Sequence, residues 1–121
     1  MKIILIGKNC VPLNAIKEMV GYENITTTND VSNVKNKDQE TKIIYIKSQF
    51  MYSWEYWMAA DIHNEYNNNC FLDDIMNFRN LDTNDCDLII EYDGTCLTSI
   101  CEKIRLYIEK GGVNSANDYN D

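Results

Sequence analysis

A chain of 121 residues, 45% of them hydrophobic, with a formal charge of −8, can bury one core and is too short for two ordinary domains. No apolar run approaches the ~20 residues of a membrane span, and Ile3, Ile4, Leu5 and Ile6 pass straight into Gly7 and Lys8 without a signal-peptide h-region or cleavage site. The acidic balance disfavours direct contact with a nucleic-acid backbone, and the expectation is a soluble, cytoplasmic protein.

Residues 2–6 read as an apolar strand, and 7–11 as the turn after it. Pro12, tolerated at a first helical position, opens a short helix in which Ala15, Ile16, Met19 and Val20 recur at helical spacing. Residues 24–28 are rich in β-branched side chains and form a second strand, whereas 29–39 show no periodicity and read as a surface loop. Residues 42–47 are again mostly apolar, as in a parallel strand covered on both faces.

Ser53 then caps a helix reaching about residue 66, with Trp54, Trp57, Met58 and Ile62 as its stripe. Asn67, Asn68 and Asn69 separate it from a second helix that turns Phe71, Leu72, Ile75 and Met76 inward. Residues 87–92 make the last strand, Asp93 and Gly94 turn the chain, and Thr95 is the N-cap of a closing helix. Leu97, Ile100, Cys101, Ile104 and Ile108 share one face of that helix, which Gly111 and Gly112 end. The reading is a single small α/β domain over 1–112, in three layers around a mostly parallel sheet, followed by a polar tail over 113–121.

The five cysteines (Cys10, Cys70, Cys86, Cys96, Cys101) are odd in number, contain no CxxC pair, and lie far in sequence from the single His63. They read as thiols of a reducing compartment rather than as a metal site. His63 falls in a polar helical segment, and no Ser/His/Asp or Cys/His arrangement can be assembled; no catalytic residue, metal or cofactor is expected.

A strand ending in glycine, a short loop and a helix is the setting of a phosphate-binding loop, in which backbone N–H groups hold the anion. The pattern G-x-x-x-x-G-K-[ST] laid on Gly7 places Pro12 at the second glycine, Leu13 at the lysine and Asn14 at the metal-binding hydroxyl. Pro12 removes a donor, Leu13 cannot reach a β- or γ-phosphate, and Asn14 is a poor stand-in for the hydroxyl that holds Mg²⁺. Gly7, Lys8, Asn9, Cys10, Pro12 and Asn14 are therefore expected to form a vestigial loop.

The charge is uneven. Between positions 61 and 93 stand nine acids (Asp61, Glu65, Asp73, Asp74, Asp82, Asp85, Asp87, Glu91, Asp93) against Arg79 alone. Trp54, Tyr56, Trp57, Tyr66, Phe71 and Phe78 are interleaved with acids, a composition that suits an interface, although Trp54 and Trp57 also fit an inward stripe. Asp61, Glu65, Asp73, Asp74, Asp82 and Asp85, with Tyr56 and Tyr66, are the expected contacts to a basic protein surface.

The front of the chain, MKIILIGKN, and the stretch DCDLIIEYDGTCLTSICEKIRLYIEK resemble the first strand and the closing strand–helix unit of nucleoside and deoxynucleoside monophosphate kinases. The resemblance implies a phosphate-loop-kinase-like topology. The interval before residue 42 is too short for that family's monophosphate-binding helices, and 53–69 contain no Arg or Lys where its lid arginines stand. Phosphoryl transfer depends on cationic clamps and Mg²⁺, so the family's activity does not carry over. The leading expectation is a pseudoenzyme that binds a macromolecule, by analogy an anti-CRISPR-like phage or mobile-element inhibitor mimicking nucleic acid against a host nucleic-acid-binding enzyme. A homodimer is a further option. The alternative is a divergent nucleotide-binding protein or monophosphate kinase with an atypical loop, using Lys8 and the amides of Asn9 to Val11 for phosphate and Asp93 or Glu91 for a metal.

Overall fold

The computed structural model describes residues 1–35, 39–49 and 75–112. In chain order these form β1 (Lys2–Ile6), α1 (Leu13–Val20), β2 (Ile25–Thr28), β3 (Thr41–Ser48), β4 (Leu88–Tyr92) and α2 (Leu97–Glu109). Two 3-10 turns, Val31–Val34 and Thr83–Asp85, and a helical stretch at 75–78 complete the described elements. The expected helix over 53–66, most of the one after it, and the tail over 113–121 lie outside the described residues.

The four strands form one all-parallel sheet in the order β2-β1-β3-β4. Side chains alternate across a strand, so the apolar strands feed two cores. Ile3 and Leu5 of β1, Ile44 and Ile46 of β3, and Ile90 and Tyr92 of β4 join Leu13 and Ile16 of α1 and Ile100, Cys101, Ile104 and Tyr107 of α2 on one face. Ile6 of β1 and Ile43 and Tyr45 of β3 meet Val31, Val34 and Phe78 on the other. The connection from β1 to β2 thus runs through α1 over one face, and that from β2 to β3 through Val31–Val34 over the other. The winding reverses between β1 and β3, and that reversal is a topological switch point.

Several expectations change in detail. The interval 29–39 is not wholly surface: Val31 and Val34 are buried, and Asp30 caps their turn by accepting the Ser32 N–H at 3.0 Å. In α1 the buried residues are Leu13 and Ile16, while Ala15 and Met19 are exposed, because the helix begins one residue after Pro12. Met76 faces solvent at 57% exposure, whereas Phe78, expected among the interface aromatics, is buried and stacked on Tyr45 with ring centroids 5.7 Å apart. Thr95 does not cap α2. The N-cap is Cys96, held at a positive φ of 60°, and the Thr95 hydroxyl donates instead to the Asp93 carboxylate at 2.7 Å. Gly112, at φ 84°, follows the end of α2 as expected.

The hydroxyl of Tyr107 is buried and has no hydrogen-bond partner among the described residues, and burial pushes its pKa up to about 12. The native chain therefore holds this proton more tightly than the unfolded one, with a contribution intact below pH ~10 and lost as pH rises toward the folded value. Tyr107→Phe is expected to gain about 1 kcal/mol in urea unfolding at neutral pH and to lose that alkaline slope. Phe78→Ala is expected to cost about 3–5 kcal/mol, against about 0.5 for Met76→Ala, in the same measurement.

Candidate functional site: the cleft at the ends of β1 and β2

In open parallel sheets ligands bind outside the carboxyl ends of the strands, because helix N-termini and loop amides converge there. In this chain the β1–β3 crevice is closed at that end. A Cβ on Gly7 would stand 3.1 Å from the Ile46 carbonyl oxygen and 3.3 Å from side-chain atoms of both Val11 and Leu13. A side chain at Gly7 would therefore press on β3 and on Val11 and Leu13, whose apolar side chains pack beside it. Cys10 is buried in the core beside them and offers nothing to a ligand.

The loop amides are also committed inward. The Val11 N–H donates to the Lys8 carbonyl at 2.9 Å and the Leu13 N–H to the Val11 carbonyl at 2.8 Å, while Pro12 between them has no N–H. Three consecutive positions therefore present no backbone donor to solvent. A phosphate loop binds through such donors, and these three positions supply none.

The opening lies one strand further out. A cleft of about 420 Å³ runs between the β1–α1 loop and the end of β2, with Lys8, Asn9, Pro12 and Asn14 on one wall and Thr27, Thr28 and Asn29 on the other. Side chains tie the walls together: the Thr27 hydroxyl donates to Asn14 Oδ1 at 2.9 Å, and Asn29 Nδ2 donates to Asn9 Oδ1. Thr28 Oγ1 accepts from the Asp30 N–H at 3.1 Å and from Asn33 Nδ2 at 2.7 Å, which fixes the rim. Asn77 Nδ2 reaches the Asn29 carbonyl at 2.9 Å from the opposite layer. The wall is mixed: amides and hydroxyls share it with apolar Val11, Pro12, Leu13 and Ala15, and Lys8 is the one cation among the described lining residues.

Of the expected vestigial-loop residues, Lys8, Asn9, Pro12 and Asn14 line this cleft, and Gly7 and Cys10 underlie it. Sequence reasoning missed Thr27, Thr28 and Asn29. The available signal was the polar run that ends an otherwise buried parallel strand, where side chains project beyond the sheet.

The expected partner contacts divide differently. Asp61, Glu65, Asp73, Asp74, Tyr56 and Tyr66 lie outside the described residues. Asp82 and Asp85 are exposed beside the start of β4, and the Asp82 carboxylate accepts the Asn84 N–H at 2.9 Å to cap its turn. Three other acids have local structural work. Asp87 Oδ2 accepts the Ile43 N–H at 2.7 Å, Asp93 binds the hydroxyl and N–H of Thr95, and Asp30 binds those of Ser32. The Thr95 hydroxyl and then its N–H hold the Asp93 carboxyl below its ordinary range. Among the described residues no group of three His, Cys, Asp or Glu side chains is placed to hold a metal, and no helix is long and apolar enough to cross a membrane.

No family model, no curated protein and no solved structure matches this chain.

The ties across the cleft carry a measurable coupling. Asn14→Ala and Thr27→Val are each expected to cost about 0.5–1.5 kcal/mol, and the double variant less than their sum, in a denaturation double-mutant cycle.

Proposed function

We propose that this chain is a non-catalytic binding domain that takes a small, polar, at most singly anionic ligand in the cleft between the β1–α1 loop and the end of β2. One observation carries the reading: the cleft presents Asn9, Asn14, Thr27, Thr28 and Asn29 beside apolar Val11, Pro12, Leu13 and Ala15, with Lys8 as the one cation among its described lining residues, while the N–H groups of Val11 and Leu13 are turned inward. Its volume of about 420 Å³ suits a ligand of nucleoside or monosaccharide size. Amides and hydroxyls recognise such a ligand through its own hydroxyl and amide groups, and one lysine balances one negative charge. Phosphoryl transfer asks for more, since the spreading charge of its transition state calls for several cations and a bound metal.

The finer fold reading belongs to this proposal. Three layers are supported by α1 and α2 on one face and by Val31, Val34 and Phe78 on the other. The strand order supports a doubly wound sheet of the 2-1-3-4 kind, so the kinase likeness is carried by β1, its loop and the closing β4–α2 unit rather than by the whole topology.

The test is a thermal-shift and ¹⁵N-amide panel of nucleosides, nucleoside monophosphates, monosaccharides and ATP with and without Mg²⁺. Stabilisation by a neutral or singly phosphorylated member, with amide shifts at Asn9, Asn14 and Thr27, is the expected result, and mass action converts the shift into affinity. Lys8→Ala is expected to weaken a monophosphate by about tenfold and leave the matching nucleoside unchanged. A larger, Mg²⁺-dependent shift with ATP returns the chain to the nucleotide-kinase alternative, and no shift with any member removes the cleft as a binding site.

A second reading, a basic macromolecular partner, is favoured by the placement of Asp82, Asp85, Glu91 and Asp93 around β4, an outer strand among the described residues. The inhibitor of a nucleic-acid-binding enzyme expected from composition is one member of that class.

A further inference from the structure

Among the described residues β4 is the outer strand of the sheet on the side away from β2. The Gln49 N–H donates to the Tyr92 carbonyl at 2.9 Å, so residues 88, 90 and 92 turn their backbone groups to β3, and Ile89 and Glu91 turn theirs outward. Beside that edge runs a groove of about 390 Å³ between β4 and α2, lined by Leu88, Ile90, Glu91, Lys103, Leu106 and Tyr107. Two apolar side chains stand open along it, Ile89 at 40% and Leu106 at 50% exposure. The buried Tyr107 hydroxyl, without a hydrogen-bond partner among the described residues, belongs to a residue of the same groove.

An outward-facing strand edge accepts another strand, and the local charges decide which. A second copy pairing antiparallel through Ile89 is centred on that residue. That register sets Asp87 opposite Glu91 of the other copy, twice, and joins two chains of −8 each. Like charges directly opposite destabilise a pair. A basic strand turns the same positions into attraction, with Asp82 and Asp85 near one end of β4 and Glu91 and Asp93 at the other. Lys47, in register with Glu91, and Lys103 are the bases near this edge.

We propose that the β4 edge binds an extended, basic segment of a partner protein by strand addition. The segment pairs with the N–H and C=O groups of Ile89 and Glu91, lays an apolar residue against Ile89 or Leu106, and places Lys or Arg beside the flanking acids. The inference rests on the second reading above and is independent of the cleft.

The probe is an acetylated, amidated Lys-Val-Lys-Val-Lys-Val-Lys peptide added to the full chain. Binding is expected to shift the Ile89 and Glu91 amides and slow their hydrogen exchange, and to weaken as salt is raised. The exposed-site variants Ile89→Lys and Leu106→Lys, checked for fold by circular dichroism, are each expected to lose about tenfold in affinity. Glu91→Lys is expected to flatten the salt dependence. A peptide N-methylated at alternate residues keeps the charge and loses the strand edge, so equal binding of that peptide overturns strand addition. Absence of shifts at Ile89 and Glu91 overturns it as well, and a dimer of the peptide-free chain in light scattering that Ile89→Lys dissolves assigns the edge to a second copy instead. Because the cleft panel reads Asn9, Asn14 and Thr27, failure at either site is distinguishable from failure at the other.

Discussion

The contact on which the described structure turns is the approach of β1 to β3 at Gly7. These are the two inner strands, and their alternate side chains supply both cores: Ile3, Leu5, Ile44 and Ile46 on the helical face, Ile6, Ile43 and Tyr45 on the other. A parallel pair buried on both faces must run closely to its ends, and at the carboxyl end this leaves little room for a side chain between Gly7 and the Ile46 carbonyl. Val11 and Leu13 fold back over the glycine, which starts α1 where Ile16 can reach the same core. The packing that closes the central crevice is therefore also what displaces the open cleft toward β2.

This displacement explains which parts of the site were legible in the sequence. The strand–loop–helix unit was plain from the apolar run at 2–6, Gly7 and the spacing of Ile16, and the failures at Pro12, Leu13 and Asn14 showed what chemistry had been lost. Composition could not show that Asn14 faces Thr27, because their pairing depends on β2 lying directly beside β1. Strand order is a non-local property, and short polar strands such as β2 carry little periodic signal of their own. The 3-10 turn at Val31–Val34 was missed for a related reason: two buried valines three residues apart leave no pattern longer than the turn itself.

The acids teach a different lesson. Read as a run, those from 61 to 93 form one excess of charge; read in the structure, Asp82, Asp87 and Asp93 each satisfy backbone N–H groups at turns and strand starts. Short carboxylates compete well for such local donors, which is why they collect at the boundaries of elements. A capping carboxylate keeps its charge, however. Structural use and electrostatic use are compatible, and the acids that organise the turns before and after β4 also set the field along its edge.

That field does not govern the cleft. Strands in a sheet lie about 4.8 Å apart, so the gap between β1 and β2 is two to three spacings from β4, beyond the Debye length of about 8 Å at physiological ionic strength. Each surface therefore selects by its own charges. At the cleft Lys8 stands among neutral amides and hydroxyls, a balance that admits one negative charge and discriminates mainly by hydrogen bonding. At β4 the acids outnumber Lys47 and Lys103, and a cationic strand gains what an anionic one loses. Two surfaces of opposite preference can coexist on so small a domain because the sheet that joins them is wider than the range over which their charges are felt.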